Sequence, residues 1–283
     1  MIEVLKGFPN GSVDRFVFSP PYFGADVDYG ENYTIFKNWD EYRDFTQAYL
    51  AQMWRILADD GCISVNVDNT QNRETKKVYY HNELIRNIIT RLNWNQRGIH
   101  AIDIGEDVWL KSQTVGKREA RGSAAYPRTR RNHEYVLFFY KLLRGTKRKI
   151  HATTTNKEQG LFSLSSWEPT DEVEMTHLDM DLWGTAWKIP QTQDKDHPAV
   201  FPAELARRMI VYGGSADDVI CDPFVGSGTT LEVAAMNGRS YIGIEQNSRF
   251  AARAAEAGRH GEKAFEKLEK KSAREIRKRL KIA

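Results

Sequence analysis

The sequence predicts an α/β fold built on a doubly wound, mainly parallel β-sheet. Apolar strand-like segments alternate with segments of helical period along much of the 283 residues. A glycine-rich turn joins one of these strands to the next helix near residues 222–230. The length suits one large domain, or one domain with a smaller insertion. A composition of 41% hydrophobic and 28% charged residues is that of an ordinary globular protein.

The elements of the first half follow from apolar periodicity. Apolar residues recur at helical spacing in 39–60 and 81–93, and they form short continuous or alternating runs elsewhere. Gly61 is expected to end the first of these helices. Residues 103–132 are polar and basic, and are expected to form a long loop. The strands are predicted at 13–18, 62–68, near 95–102 and at 134–141.

The segment 144–187 has no strong period but contains Trp167, Trp183 and Trp187, and is interpreted as an irregular insertion. Packing a small core of the insertion is the favoured role of these tryptophans. Regular alternation then resumes with a helix over 201–213, in which Pro202 suits the first turn. The remaining predictions are a strand at 218–224, a helix at 229–238, a strand at 240–245 and a helix at 248–282.

The positive charge is concentrated in one segment. Between Lys117 and His151 there are eleven Lys or Arg residues and two Glu residues, whereas the whole chain carries a net charge of +3. Such a cluster is typical of a surface that binds a polyanion, with a merely solvated basic loop as the alternative. The basic C-terminal run alternates Glu and Lys at helical spacing and is interpreted as a solvated helix.

Cysteine usage and hydropathy indicate a cytoplasmic protein. Cys62 and Cys221 both lie in apolar strand-like runs, which predicts reduced, buried thiols. Neither has a Cys or His neighbour at the spacing of metal ligands, so no metal site is expected. No apolar stretch reaches eighteen residues and the first residues lack a signal-peptide pattern, so no membrane association is expected.

The run Ser19-Pro20-Pro21-Tyr22 forms an unusual end to the first strand. The first proline excludes Ser19 from the helical region, and neither proline offers an N–H group. The chain should therefore leave the strand as a rigid corner that presents carbonyl and hydroxyl acceptors beside an aromatic ring.

The glycine-rich turn predicts a nucleotide-type cofactor. Gly226 and Gly228 allow close backbone approach, the following helix directs its N–H groups at a ligand, and Glu245 ends the next strand, where it can accept both hydroxyls of a ribose. The turn lacks the full G-x-G-x-x-G pattern of dinucleotide sites and the lysine of triphosphate loops. With Asp222 before it, the turn suits a nucleoside joined to an amino acid, such as S-adenosyl-L-methionine.

Three segments together resemble the DNA amino-methyltransferases, which methylate exocyclic nitrogens of cytosine or adenine. They are SPPY at 19–22, HPAVFPAEL at 197–205 and DPFVGSGTT at 222–230, with weaker similarity at 57–68 and 131–141. Their order is similar to the circularly permuted β group. The resemblance implies an S-adenosylmethionine-dependent methyltransferase fold with 1–141 as catalytic half, 142–190 as target-recognition insertion and 191–283 as cofactor half.

The resemblance also implies the chemistry of the corner. The target base is flipped out of double-stranded DNA, because its amino group is inaccessible in the stack. Ser19 Oγ and the Pro20 carbonyl would accept the amino hydrogens, Tyr22 would stack on the base, and Pro21 would help to keep the corner rigid. Methyl transfer is then direct. A ring-carbon methyltransferase would need a thiolate, which two buried cysteines exclude.

The remaining site residues follow from the same resemblance. Residues 103–132 are a second candidate contact loop for DNA, and the three tryptophans of the insertion could alternatively wedge into DNA. The cofactor residues would be Asp222, Phe224, Gly226, Gly228, Thr229, Thr230, Glu245, His197, Phe201 and Pro202. The basic residues expected to contact DNA are Lys117, Arg118, Arg121, Arg128, Arg130, Arg131, Lys147 and Arg148. Asn66 and Asp68 could either contact ligand or cap a strand end.

The family pattern is incomplete at the N-terminus. The acid that contacts the cofactor adenine in this group precedes the first strand, and here Glu3 aligns only with a later glutamate of that motif. Either translation begins upstream, or the purine is held differently.

Ser19 in the SPPY motif favours cytosine-N4 as the target, since adenine enzymes mostly carry Asp or Asn at that position. The alternatives are an adenine-N6 methyltransferase and a catalytically impaired DNA-binding member. An NAD oxidoreductase would need the dinucleotide motif that the turn lacks. The expected partners are double-stranded DNA, a second copy in a homodimer, and a separately acting restriction endonuclease of a bacterial or phage modification system.

Overall fold

The computed structural model describes residues 1–25, 36–71, 77–92, 99–111, 133–143, 186–192, 202–212, 214–215 and 217–280. The helices are α1 Ile2–Lys6, α2 Trp39–Ile56, α3 His81–Leu92, α4 Ala203–Val211, α5 Thr229–Met236 and α6 Ser248–Leu280. The strands are β1 Val13–Phe18, β2 Leu57–Val67, β3 Thr70–Gln71, β4 Val78–Tyr79, β5 Ile99–Lys111, β6 His133–Leu143, β7 Ala186–Ile189, β8 Val219–Asp222 and β9 Ser240–Gly243.

Seven strands form one sheet in the order β7-β5-β6-β2-β1-β8-β9. Strand β1 lies between β2 and β8 and pairs in parallel with both, and β8 continues in parallel to β9. Strand β6 runs antiparallel to its neighbours β2 and β5, and β7 pairs in parallel with β5. The predicted mainly parallel sheet is confirmed.

Both faces of the sheet are covered by helices, as a doubly wound fold requires. Phe16 and Phe18 of β1 pack into a core with α1, α2 and α3, whereas Val17 between them packs into a second core with α4 and α5. This alternation is the two-residue period of a strand whose two faces are both buried. The centre of the sheet is therefore rigid, and its strand ends are well placed to carry a site.

The prediction that Gly61 ends the first long helix is wrong. Helix α2 ends at Ile56 and β2 begins at the next residue, so Gly61 lies inside the strand. A Cβ atom on Gly61 would lie 2.8 Å from the Asp14 carbonyl oxygen, so glycine is needed there for close approach of β1. The pairing of β1 with β2 is irregular at this point, and Asp60 has a positive φ of 66°.

The structure differs from the sequence-based predictions at two further places in the middle of the chain, the segment 103–111 and Trp187. Strand β5 extends to Lys111, because pairing with β6 holds the polar segment 103–111 in extended form, so these residues are not part of a loop. Trp187 lies in β7 and packs against Phe138 in the second core, on the side of α4 and α5, with 1% of its surface exposed. Residues 112–132 and 144–185 lie outside the described residues, and the extent of the insertion stays a prediction.

Among the described residues, no helix combines the length and apolar character needed to cross a membrane. Within the same residues, no cluster of His, Cys, Asp and Glu side chains is suited to hold a metal ion.

Candidate active site

The catalytic and cofactor motifs meet at one edge of the sheet. Strands β1, β8 and β9 are parallel neighbours, so Ser19, Asp222 and Glu245, which end or follow them, lie along the same edge. The ring of Phe224 bridges the two motifs, with its centroid 5.8 Å from that of Phe18. The carboxyl edge of parallel strands is where ligands bind in open α/β sheets.

The corner after β1 is fixed by burial and by a hydrogen bond. Pro20 and Pro21 are buried, whereas Ser19 and Tyr22 are partly exposed. The Tyr42 hydroxyl, from α2, donates a 3.0 Å hydrogen bond to the Pro21 carbonyl. The rigid corner predicted from two consecutive prolines is thus held from outside as well as by its own ring constraints.

A hydroxyl pair extends from this corner. Ser19 Oγ lies 2.8 Å from the Tyr22 hydroxyl. The same hydroxyl lies 3.3 Å from the Asn66 carbonyl oxygen and 3.4 Å from Glu134 Oε2. Tyr22 is therefore anchored through its hydroxyl, while the centroid of its ring lies 5.6 Å from that of His81.

Sequence analysis missed the carboxylate behind this pair. Glu134 is 8% exposed; it accepts a 2.6 Å hydrogen bond from Asn66 Nδ2 and pairs with Lys111 Nζ through its other oxygen. The signal was present, because Glu134 is an acid at the start of an apolar strand, and a buried acid needs partners. Asn66, left open between ligand contact and strand cap, is 1% exposed and holds Glu134.

The cofactor turn is built around the Asp222 carboxylate. Asp222 Oδ1 accepts a 2.9 Å hydrogen bond from the Phe224 N–H, and Oδ2 accepts one of 2.7 Å from the Thr230 hydroxyl. Gly226 and Gly228 have φ of 53° and 97°, left-handed values that favour glycine. The turn thereby brings the start of α5 over the end of β8.

Glu245 closes the other side of the turn. Its Oε2 accepts a 3.0 Å hydrogen bond from the Gly226 N–H, and its Oε1 accepts one of 2.9 Å from the Asn247 N–H. Each carboxylate oxygen keeps a further lone pair for a ligand hydroxyl. Glu245 thus keeps acceptor capacity for two ligand hydroxyls at this edge of the sheet.

Electrostatics of the turn favour a cationic ligand. Burial, with the nearby charge of Glu245 in addition, raises the pKa of Asp222 from 3.8 to about 7. A positive group at this place would offset the cost of holding two acids close together. S-adenosylmethionine carries a sulfonium and an ammonium, so the donor and charge set present in the turn fits it.

Two of the predicted cofactor residues, Gly228 and Thr230, contact other parts of the protein and help to hold the turn in place. A Cβ atom on Gly228 would lie 2.5 Å from Ala254 Cα, so this glycine allows α6 to pack on the turn. A bulkier residue at Gly228 would disturb this helix packing, so a loss of cofactor binding in such a variant would not report on the cofactor site alone. The Thr230 hydroxyl is turned inward to Asp222, and Thr230 is 1% exposed. Thr229 is the first residue of α5 and is partly exposed.

The two cysteines are buried, as predicted. Both Cys62 and Cys221 are 0% exposed, and burial raises the pKa of the Cys221 thiol well above its ordinary value. A buried, protonated thiol is a poor nucleophile. Neither cysteine is therefore placed to serve as the nucleophile that a ring-carbon methyltransferase needs.

Several predicted positions fall outside the described residues. Among the cofactor residues these are His197 and Phe201, whereas Pro202 is buried and directly precedes α4. Glu3 is on α1, where it is largely exposed and pairs with Lys6. The basic residues predicted to contact DNA also lie outside the described residues, namely Lys117, Arg118, Arg121, Arg128, Arg130, Arg131, Lys147 and Arg148.

The fold and the site together define an α/β methyltransferase: a glycine turn with an acidic residue on each side lies next to a rigid, hydroxyl-bearing corner at the carboxyl edge of the sheet. The chain belongs to the DNA methylase family that acts on N6 or N4, whose sequence model matches residues 13–256. The predictions of the family and of S-adenosylmethionine as cofactor are confirmed.

Similar proteins include two type II methyltransferases. M.HinfI of Haemophilus influenzae is 24% identical over 270 residues, which cover 88% of this chain and 64% of M.HinfI. M.Cfr9I of Citrobacter freundii is 26% identical over 272 residues, with 88% of this chain and 82% of that protein covered. The chain therefore spans less than two thirds of M.HinfI and most of M.Cfr9I.

Solved structures share the fold. One is TTHA0409 of Thermus thermophilus, which is assigned as a DNA modification methylase and was solved in complex with S-adenosyl-L-methionine. It superposes on this chain with a TM-score of 0.62 at 24% sequence identity, and the match covers 92% of this chain and 90% of that one. The cytosine-N4-specific PvuII DNA methyltransferase superposes with a TM-score of 0.62 at 18% identity, covering 90% and 83%.

Proposed function

We propose that this chain transfers a methyl group from S-adenosylmethionine to the exocyclic N4 of a flipped cytosine in duplex DNA. The observation that carries the proposal is the position of Ser19: its hydroxyl lies at the carboxyl end of β1, on the same edge as the cofactor turn, in the motif SPPY. A short hydroxyl on a rigid corner suits the amino group of the smaller base.

The chain's own residues would position the reactants. Ser19 Oγ and the Pro20 carbonyl would accept the two amino hydrogens, which favours a pyramidal nitrogen whose lone pair points at the methyl group. Tyr22 would offer its ring to the base. S-adenosylmethionine, when bound, supplies a methyl group activated by its sulfonium. Glu245 would hold its ribose hydroxyls, and the buried carboxylate of Asp222 would favour its positive charge from beneath the turn.

The partners are proposed on separate grounds. The basic segment 117–151 would track DNA phosphates, and the insertion within 142–190 would select the bases. The type II designation of M.HinfI and M.Cfr9I supports a role in modification beside a separate endonuclease. A homodimer and a cytoplasmic location complete the proposal.

Product identity tests the function directly. The chain is incubated with mixed-sequence duplex DNA and cofactor labelled in the methyl group, and the digested nucleosides are analysed by mass spectrometry. Labelled N4-methylcytosine is the expected product. N6-methyladenine would overturn the choice of base while leaving the family assignment intact. DNA binding without any labelled base would indicate an impaired member that only binds DNA.

A further inference from the structure

The polarity of the Ser19–Tyr22 hydrogen bond can be deduced from its surroundings. A tyrosine hydroxyl has one proton to donate. The Asn66 carbonyl, at 3.3 Å, and Glu134 Oε2, at 3.4 Å, are both acceptors that this proton can serve. Either oxygen could donate in the 2.8 Å contact between Ser19 and Tyr22. With the Tyr22 proton directed at the Asn66 carbonyl and Glu134, the donor in this contact is Ser19.

This polarity decides what Ser19 can offer a substrate. Its single proton is committed to Tyr22, so the remaining capacity of Ser19 Oγ is that of an acceptor. An amino group needs such an acceptor, whereas an undirected hydroxyl could equally well donate. Of these two acceptors, Glu134 is charged and attracts the Tyr22 proton more strongly than the neutral Asn66 carbonyl does, and Lys111 on β5 balances that charge from the other side.

We propose that Glu134 is a positioning residue that acts through Tyr22: it sets Ser19 as an acceptor and takes up the proton that leaves the amino nitrogen. The proposal rests on the proposed role of Ser19. Its geometry comes from three strands, because β2 contributes Asn66, β5 contributes Lys111 and β6 contributes Glu134.

Atoms and charges are conserved in this methyl and proton transfer. As the carbon–nitrogen bond forms, the methyl–sulfur bond breaks and its electron pair stays on sulfur. One amino proton moves to Ser19 Oγ, the proton of Ser19 moves to Tyr22, and that of Tyr22 moves to Glu134 Oε2. The products are a neutral methylamino group, a neutral thioether and a protonated Glu134, which then releases its proton to solvent. The 3.4 Å step from Tyr22 to Glu134 would shorten in the complex with substrate, as catalytic hydrogen bonds often do.

The test uses two conservative variants and their combination. Tyr22→Phe keeps the ring and breaks the chain of hydrogen bonds, and Glu134→Gln keeps the shape and removes the charge. Single-turnover methylation rates are measured with DNA and cofactor saturating, beside the dissociation constants of both. The protein offers a matched control pair, Tyr241→Phe and Glu262→Gln, at another tyrosine–glutamate hydrogen bond, of 2.8 Å.

Each single variant is expected to lower the rate about tenfold to a hundredfold, with both dissociation constants within about twofold of wild type. The double variant should be no slower than the slower single one, because both substitutions break one chain of hydrogen bonds. The control pair should leave the rate unchanged.

Three outcomes would overturn the role of Glu134. They are wild-type rates in both variants, a loss confined to the dissociation constants, and multiplied losses in the double variant. A product of N6-methyladenine would leave the proposal standing, since the same proton has to leave. A wild-type chain that methylates nothing would overturn both the proposed function and this role.

Discussion

The Thr230 hydroxyl donates a 2.7 Å hydrogen bond to Asp222 Oδ2, and both residues are 1% exposed. This contact ties the first turn of α5 to the end of β8. Because it is buried, the carboxylate of Asp222 is costly to ionise, and its pKa rises to about 7. The pair therefore places a group that titrates near neutral pH under the cofactor turn.

Cofactor affinity should depend on the ionisation of Asp222. A cationic ligand favours the carboxylate, so binding should weaken as the pH falls below about 7, by at most about tenfold per pH unit. Asp222→Asn should bind the cofactor more weakly, and without this dependence. Calorimetric titration of both proteins with the cofactor at pH 6, 7 and 8 measures the affinity and its pH dependence. An equal pH dependence in the variant would contradict the assignment.

The same group should lower the stability of the free protein at higher pH. The folded pKa is raised above the unfolded value of 3.8, so the folded state holds the proton better. Its contribution to stability is full below about pH 4 and is lost as the pH rises through about 7. Asp222→Asn should remove this decline and raise the free energy of unfolding at pH 8 by on the order of 2–4 kcal/mol. Urea titrations at pH 5 and pH 8 measure it.

Glu245→Gln should weaken cofactor binding about tenfold to a hundredfold while leaving the fold intact. The amide oxygen can still accept from the Gly226 N–H, but the charge that strengthens hydrogen bonds to ribose hydroxyls is lost. Glu262→Gln, on the exposed part of α6, is the matched control and should bind normally. Unchanged affinity in Glu245→Gln would remove the ribose assignment.

The sequence was sufficient for the centre of the sheet and insufficient at places where distant strands meet. Residues 13–18, 219–222 and 229–236 were recognisable because apolar periodicity and the glycines of the turn are local signals. The end of α2 at Ile56 could not be recognised in this way. Gly61 resembles a helix-ending glycine, but a glycine is needed there because the backbone approaches Asp14 closely.

The candidate site divides in the same way. Ser19, Asp222 and Glu245 belong to short motifs, and each could be found without knowledge of its neighbours. Glu134 acquires its role from Tyr22 and Asn66, which are 112 and 68 residues away in the chain. The pairing of β2 with β6 creates that contact, and no local pattern encodes the pairing.

The basic segment is predicted to bind phosphates without regard to sequence. Replacing Arg128, Arg130 and Arg131 together with Ala should weaken binding to specific and random duplexes alike. The slope of log K against log salt should become less negative by about 0.9 for each phosphate that the variant no longer neutralises. Fluorescence anisotropy across a salt series measures the slope. An unaltered slope would show that these arginines are only solvated.

Ser19→Ala should lower turnover by one to two orders of magnitude while DNA and cofactor binding stay nearly unchanged. The variant removes an acceptor that contributes mainly in the transition state, and a hydrogen bond of about 1.5–3 kcal/mol corresponds to that loss. Ser12→Ala is the matched control, because Ser12 directly precedes the same strand and its hydroxyl donates to the Pro9 carbonyl. Rates are measured with labelled cofactor, and affinities by anisotropy and calorimetry. Wild-type turnover in Ser19→Ala, or a loss that appears only in the affinities, would show that Ser19 does not hold the amino group.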